Sequence, residues 1–534
     1  MRRLVGLLAA AGLAVGGLAL APVATASPRD PGTVVWGACT GSALKNANAQ
    51  CAMLTVPLDY RNPGGQTIQL ALSRIEHTSP DAHYQGVMLV NPGGPGGSGL
   101  ELSTLGQYVP DGVGGAYDWI GFDPRGVGAS VPALTCQAGY FNAPRPSYVP
   151  ITPDLQRTWL ARSRGYAQAC GQAQPALLAH MTTIDSAHDM DAIRAALGQS
   201  QINYYGFSYG TYLGQVYSTL FPQRVRRMVL DSNVDPRNVW YQANLNQDVA
   251  FNRNIDLWFG WVARYNNVFG LGSNSQDVRK LYYKSVAALT RNPAGALGPD
   301  EFTDVFLQAA YYRFGWNDIA FAWSDWINKN DPSELVGLYK QDDTPGSDNS
   351  FAVYLGVQCT DVQWPTNWRT WERDNWRTYA RAPFETWDNA WFNAPCIYWP
   401  APASTPVHVD GSRVSSALLI DETLDGATPY GGSLEVRQLF PTSSLIAEPG
   451  GTTHADSLFG DDCVDNQISA YLRDGTLPPR RPGNHADTTC APLPNPVPTA
   501  SSASAKSNHP QSANSPDAAG EVRLNQILRG LPTS

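Results

Sequence analysis

The segment Tyr204-Tyr205-Gly206-Phe207-Ser208-Tyr209-Gly210 has the form G-x-S-x-G. It ends a short apolar run at 202–206 that reads as a strand, and it opens a run at 209–220 with helical periodicity. In that context Ser208 is a candidate nucleophile. A strand-to-helix turn this tight needs small residues two before and two after the serine, and it holds Oγ clear of the backbone at a helix N-terminus. The partial positive charge there favours an oxyanion. An ordinary Gly/Ser turn is the bland alternative.

A serine hydroxyl attacks poorly until a base takes its proton. In this kind of site the acid and the base follow the serine in the order Asp, His. Beyond a predicted strand at 416–421 comes Glu422-Thr423-Leu424-Asp425-Gly426-Ala427-Thr428-Pro429. Asp421 closes that strand, whereas Asp425 lies in the loop, where it can turn to meet a histidine. Asp425 is therefore the expected acid, against the reading of a turn-forming Asp-Gly. His454, in Gly450-Gly451-Thr452-Thr453-His454-Ala455, follows the predicted strand 445–448 and is the expected base. The other seven histidines do not follow a core strand in this way, and His188, on a predicted helix at 186–197, is read as structural.

Asn91-Pro92-Gly93-Gly94-Pro95-Gly96-Gly97-Ser98-Gly99 follows a strand ending at Val90. It lacks the Gly-Lys-Ser/Thr of a phosphate-binding loop and the spacing of a dinucleotide fingerprint. In a serine hydrolase such a loop supplies the second oxyanion-hole amide, so the backbone amides of Gly94 and Tyr209 are the expected oxyanion donors. In Asp123-Pro124-Arg125-Gly126, Arg125 could bind a substrate carboxylate, but a brace behind the oxyanion loop is the preferred reading.

Positioning these residues requires a sheet. Apolar runs at 86–90, 117–123, 202–206, 227–231, 416–421 and 445–448 read as buried parallel strands. The helical patterns between them predict an α/β fold with a mostly parallel central sheet. Residues 239–405 interrupt the alternation with predicted helices at 255–265, 275–290, 299–312 and 318–329, and they hold thirteen of the 16 tryptophans. This stretch is expected to be a large helical cap, inserted before the strand that carries the acid. Most of its tryptophans are expected to pack its own core. The expected organisation is core at 27–238, cap at 239–405, core again at 406–490, and a Pro/Ser/Ala-rich flexible tail at 491–534.

Arg2 and Arg3, an apolar run at 4–21 and Ala24-Thr25-Ala26 form the pattern of a secretory signal peptide over 1–26. Secretion to the extracellular side is the expectation, with no membrane anchor. In an exported chain, eight cysteines read as four disulfides, and pairing of sequence neighbours gives 39–51, 136–170, 359–396 and 463–490. No CxxC or HExxH spacing points to a metal. With 37 basic and 46 acidic side chains, the net charge of −9 argues against a nucleic-acid partner.

The set NPGGPGGSG, GFDPRGVGAS (121–130), GFSYG and LDGATP with a late histidine resembles the α/β-hydrolase peptidases of the proline iminopeptidase group. More closely it resembles the secreted tripeptidyl aminopeptidases of actinomycetes, over about 36–490. CAMLTVPLDY (51–60) and the two late cysteines around YLRDGTLP also resemble that subgroup. The resemblance implies the α/β-hydrolase fold, Ser208 as nucleophile, Asp425 as acid, His454 as base and the Gly94 amide facing the oxyanion. Three positions depart from the usual pattern: Pro92 replaces a loop histidine, Gly426-Ala427 replaces Pro-Val, and Ala455 replaces a glycine.

The expected reaction is acyl transfer to water, without metal or cofactor. By resemblance the substrate is a peptide with a free amino terminus, from which short peptides, tripeptides by expectation, are released. A carboxylate would hold the substrate ammonium; Glu301, Asp361 and Glu422 are candidates by position, and none is assigned. A secreted carboxylesterase or lipase on the same fold is the alternative, and a non-catalytic binding protein a third reading. The chain is expected to be monomeric, although nothing in the sequence fixes the oligomeric state.

Overall fold

The computed structural model of the chain describes residues 34–343 and 346–498. The expected signal peptide and the tail from 499 onward lie outside the described residues.

The core is a ten-stranded sheet. Its strands are β1 (Gly37–Ala38), β2 (Gln50–Pro57), β3 (Thr67–Ile75), β4 (Val87–Asn91), β5 (Asp118–Phe122), β6 (Ile202–Phe207), β7 (Val225–Asp231), β8 (Ala417–Glu422), β9 (Ser443–Glu448) and β10 (Thr488–Thr489). The strand order is β1-β2-β3-β5-β4-β6-β7-β8-β9-β10. From β5 to β10 neighbouring strands pair in parallel; β1, β2 and β3 join antiparallel. Strands β4, β6, β8 and β9 are buried at every residue, and each holds a short, mostly apolar run at its centre. The expected strands omit β2 and β3. β2 alternates buried and exposed residues, so it offers no apolar run to find.

The chain runs from β4 outward to β5, then crosses back to β6 on the other side of β4. The strand order therefore reverses between β4 and β6. In an open α/β sheet the crevice at the carboxyl ends of such strands is where ligands bind. The glycine loop leaves β4 there, and Ser208 leaves β6. The turn after β8 carries Asp425, and the segment after β9 carries His454.

Between β7 and β8 the chain is helical, with Tyr241–Arg264, Ser275–Arg291, Pro299–Tyr311, Trp316–Lys329, Ser333–Asp342, Asn349–Asp361, Trp368–Tyr379 and Thr386–Asn393 as its main helices. Trp258, Trp261, Trp316 and Trp323 pack with Phe302 and Phe306 in an apolar cluster separate from the one on the sheet. Arg145 enters this region from the sheet side and ion-pairs with Glu301 (3.2 Å) and Asp304. Four disulfides join Cys39–Cys51, Cys136–Cys170, Cys359–Cys396 and Cys463–Cys490, the neighbour pairing expected from the sequence. At the carboxyl end, Arg313 Nη1 and Trp261 Nε1 donate to the carbonyls of Pro494 and Pro496 (2.9 Å each), so that stretch lies against the helices.

Candidate active site

Ser208 sits between β6 and the helix Tyr209–Leu220 with φ 55° and ψ −127°. A side chain at positive φ is strained by roughly 1–3 kcal/mol, which the surrounding packing must hold in place. The flanking glycines make that possible. A Cβ at Gly206 would lie 2.6 Å from the Gly210 carbonyl, and one at Gly210 would lie 2.7 Å from the Asn91 carbonyl. The Ser208 amide donates to the Asp231 carbonyl at the end of β7 (3.0 Å).

The glycine loop packs directly on this turn. Gly93 and Gly94 have φ of 100° and 103°, a region open to glycine. A Cβ on Gly93 would lie 2.6 Å from the Phe207 carbonyl and 2.8 Å from Ser208 Cβ. Asn91 Oδ1 accepts from the Gly93 amide (3.0 Å) and fixes the start of the loop. Asp123 braces it from behind: its Oδ1 accepts from Ser98 Oγ (2.5 Å) and the Gly99 amide (3.1 Å). Arg125 is buried and pairs with Asp189 (2.7 Å) and the carbonyls of Leu58 and His180. Asp123 thus braces the oxyanion loop as expected, whereas Arg125 is spent on Asp189, Leu58 and His180 and touches neither that loop nor the cavity. His188 stacks on Tyr60 (5.0 Å between ring centres), away from the cavity.

Asp425 is fully buried and saturated. Oδ1 accepts from the amides of Ala427 (2.7 Å) and Thr428 (2.9 Å). Oδ2 accepts from Thr428 Oγ1 (2.9 Å) and from His454 Nδ1 (2.7 Å). With Asp425 ionised, Nδ1 carries the proton and Nε2 the lone pair. Nε2 is buried and has no hydrogen-bond partner among the described residues. Asp421 takes no part in this pairing; its Oδ2 accepts from Ser433 Oγ (2.6 Å).

The helical region holds both of these loops. Gln247 Nε2 donates to the Ala427 carbonyl (2.7 Å), Asn254 Nδ2 to that of Leu424 (2.9 Å), and Arg253 to that of Asp425 (3.1 Å). The His454 amide donates to the Tyr311 carbonyl (3.0 Å), and the Tyr311 ring stands edge-on to the imidazole. Ala455 takes φ 58°, the reason a glycine is usual there, and its amide donates to Ser232 Oγ (2.8 Å). Thr428, Gln247, Asn254 and Ser232 are not among the expected site residues. Thr428 lies inside the LDGATP segment and could have been weighed there. The others act across more than 150 residues of sequence and leave no local signal.

Ser208, Tyr209, Gly94 and His454 line one cavity of about 330 Å³, walled also by Trp240, Tyr311, Tyr312, Tyr354 and Gln358. Its size is that of a small-molecule or short-peptide site. The three carboxylates considered for a substrate ammonium lie elsewhere. Glu301 accepts from Arg145 and the Gly298 amide, and Asp361 from Thr183 and Trp240 Nε1. Glu422 is buried behind the His454 loop. Among the described residues the one carboxylate on the cavity wall is Asp235, and Arg237 (2.7 and 2.9 Å) and Asn238 (2.8 Å) occupy both of its oxygens.

Comparison with known proteins bears on the same geometry. Residues 86–344 match the family described as alpha/beta hydrolase fold, and residues 382–490 match the family of TAP-like proteins. The chain is 40% identical to the tripeptidyl aminopeptidase of Streptomyces lividans over 477 residues, covering 87% of each chain. It is 31% identical to the serine protease Hip1 of Mycobacterium tuberculosis, covering 85% of this chain and 91% of that one. It is also 30% identical to carboxylesterase B of Mycobacterium tuberculosis, covering 88% and 95%. The chain is accordingly a serine hydrolase and peptidase that belongs to the tripeptidyl aminopeptidase family of the α/β-hydrolase fold.

Proposed function

We propose that Ser208, His454 and Asp425 form the catalytic triad of a secreted exopeptidase that removes tripeptides from free amino termini. One observation carries the reading: a histidine fixed by a buried aspartate, with its Nε2 unpartnered among the described residues, lines the same cavity as the strained serine. Ser208 Oγ attacks the scissile carbonyl while His454 Nε2 takes its proton. Asp425 keeps the tautomer and balances the imidazolium. The amides of Gly94 and Tyr209 hold the oxyanion, and losing one such donor costs about 2.7–4 kcal/mol of barrier. His454 then protonates the leaving amine, and water releases the acyl-enzyme. Release of tripeptides follows the named activity of the Streptomyces relative. A cavity roofed by helices supports exopeptidase work, because folded proteins do not fit beneath it. Four disulfides fit an exported enzyme.

A carboxylesterase is the second reading. The pairing of Asp235 with Arg237 favours it, since among the described residues no unoccupied carboxylate lines the cavity to meet an ammonium. The test compares a free tripeptidyl p-nitroanilide, its N-acetylated twin, a prolyl p-nitroanilide and p-nitrophenyl butyrate. Cleavage of the free tripeptide alone supports the exopeptidase. Ester turnover without amide turnover overturns it, as would full peptidase activity in Ser208→Ala.

A further inference from the structure

We propose that Glu422, Glu448 and Asp456 form a buried site for one hard divalent cation of the calcium type, which ties the Asp425 loop to the His454 loop. The register sets up the first two. Glu422 and Glu448 are paired residues at the ends of the parallel neighbours β8 and β9. Like charges set side by side on adjacent strands repel, and here both are buried. Asp456, two residues past His454, completes the group. One oxygen of each of the three lies within 4.8 Å of the other two. That span is about twice a calcium–oxygen distance of roughly 2.4 Å, so a single ion can touch all three.

The hydrogen bonding points the same way. Glu422 Oε2 accepts from the Thr453 amide. Glu422 Oε1, Glu448 Oε2 and Asp456 Oδ2 are buried and receive no donor among the described residues. Buried carboxylate oxygens without a donor call for a cation or a proton. The positive charge acting on the group is Arg313, which faces Asp456; Asp231, Asp425, Asp461 and Asp465 add negative charge around it. With these carboxylates ionised, the one guanidinium leaves an excess of negative charge, which a divalent cation would lower. The donors are all oxygens, the set that selects calcium, magnesium or manganese over softer metals. Burial pushes all three carboxyls upward, Glu448 to about 10; the Asp456 charge adds to the rise of Glu422 and Glu448, while a hydrogen bond from the Glu422 carboxyl holds Asp456 down, so without a cation the group holds protons.

The cation takes no part in acyl transfer. Its consequence is positional: Glu422 is three residues before Asp425 and Asp456 two after His454, so the ion fixes the two loops that must hold Asp425 Oδ2 at 2.7 Å from His454 Nδ1.

The test uses the purified full chain, stripped with EDTA and kept at pH 8. Calcium chloride is titrated calorimetrically, and the unfolding midpoint is followed in parallel. One calcium per chain is expected, with the midpoint raised by roughly 3 °C at a hundredfold excess over Kd. Glu448→Gln and Asp456→Asn should each weaken binding about 10–100-fold. Terbium luminescence on the wild-type chain, displaced by calcium, gives the same answer should either variant fail to fold. No calcium uptake at 10 mM and no terbium signal would overturn the proposal. A midpoint that instead climbs on acidification alone and rises in Glu448→Gln would assign the cluster to shared protons.

Discussion

Asp425→Asn separates the part of the acid that sets chemistry from the part that sets structure. In the native loop Oδ1 faces two backbone donors, Ala427 N and Thr428 N, while Oδ2 faces His454 Nδ1 and the Thr428 hydroxyl. An asparagine amide can orient only one way, because its NH₂ cannot face two amide donors. Its nitrogen must then point at His454 and donate to Nδ1. The imidazole proton moves to Nε2, the atom that must be free to accept from Ser208. In triads of this kind the change costs about ten-thousandfold in kcat, or about 5 kcal/mol of transition-state stabilisation. The fold should lose far less, because the two amides keep their acceptor. Asp425→Ala instead strands both buried amides, at roughly 1–3 kcal/mol each. The assay is kcat and KM on a free tripeptidyl p-nitroanilide, with the rate of fluorophosphonate labelling of Ser208 and thermal unfolding of each variant. The expected pattern is low kcat, little-changed KM and near-native stability for Asn, and low kcat with reduced stability for Ala. An Asn variant within tenfold of the wild type would refute the tautomer argument, and equal destabilisation of both variants would refute the account of the loop.

Gly93→Ala places a methyl 2.6 Å from the Phe207 carbonyl at φ +100°, so the oxyanion loop must shift. A loss of about hundredfold in kcat is expected, and unchanged kinetics would show that the loop is not held against the serine turn. The double change Cys359→Ser/Cys396→Ser opens a loop of 37 residues between the helix Asn349–Asp361 and the turn that follows Asn393. Destabilisation of roughly 4 kcal/mol is expected by loop entropy, read by denaturant unfolding against the wild type. Stability should also fall with rising pH in EDTA. Burial raises Asp231 and Asp465 to about 7 in the folded state, above their unfolded value of 3.8. Below that unfolded value both states hold the proton and nothing changes. Between it and about pH 7 the unfolded chain ionises first, so each group removes about 1.4 kcal/mol per pH unit. A midpoint that does not drop between pH 5 and pH 8, or a drop that Asp231→Asn leaves untouched, contradicts this.

The chemistry was legible where it is local. G-x-S-x-G is legible because the clash that keeps Gly206 small is with Gly210, four positions on in the same motif, although the clash at Gly210 is with the distant Asn91. The strands that position it were legible because burial at every residue leaves a short, mostly apolar run at the centre of β4, β6, β8 and β9. The same physics hid β2 and β3, which lie on the antiparallel side of the sheet, where β2 alternates. The choice of Asp425 over Asp421 followed from chain geometry, since a residue ending a strand is held by it while a loop residue can turn. What stayed hidden is what the helices between β7 and β8 do to the site. Gln247 and Asn254 lie on the long helix Tyr241–Arg264 and reach carbonyls some 170–180 residues away. Their own neighbours in sequence say nothing of that contact. The same limit applies to the ammonium. A carboxylate in the helical region was a reasonable demand of an exopeptidase, yet Glu301 and Asp361 are spent on Arg145 and on Thr183 with Trp240. The wall of the cavity was left to amides and tyrosines, with one carboxylate already tied to a guanidinium. Recognition of a free amino terminus must then come from acceptors such as the unpartnered Oε1 atoms of Gln247 and Gln358 on that wall, or from Asp235 once Arg237 turns away. Arg237→Ala distinguishes the two. It should lower KM for the free tripeptide if Asp235 is the anchor, and leave it unchanged if the amides are.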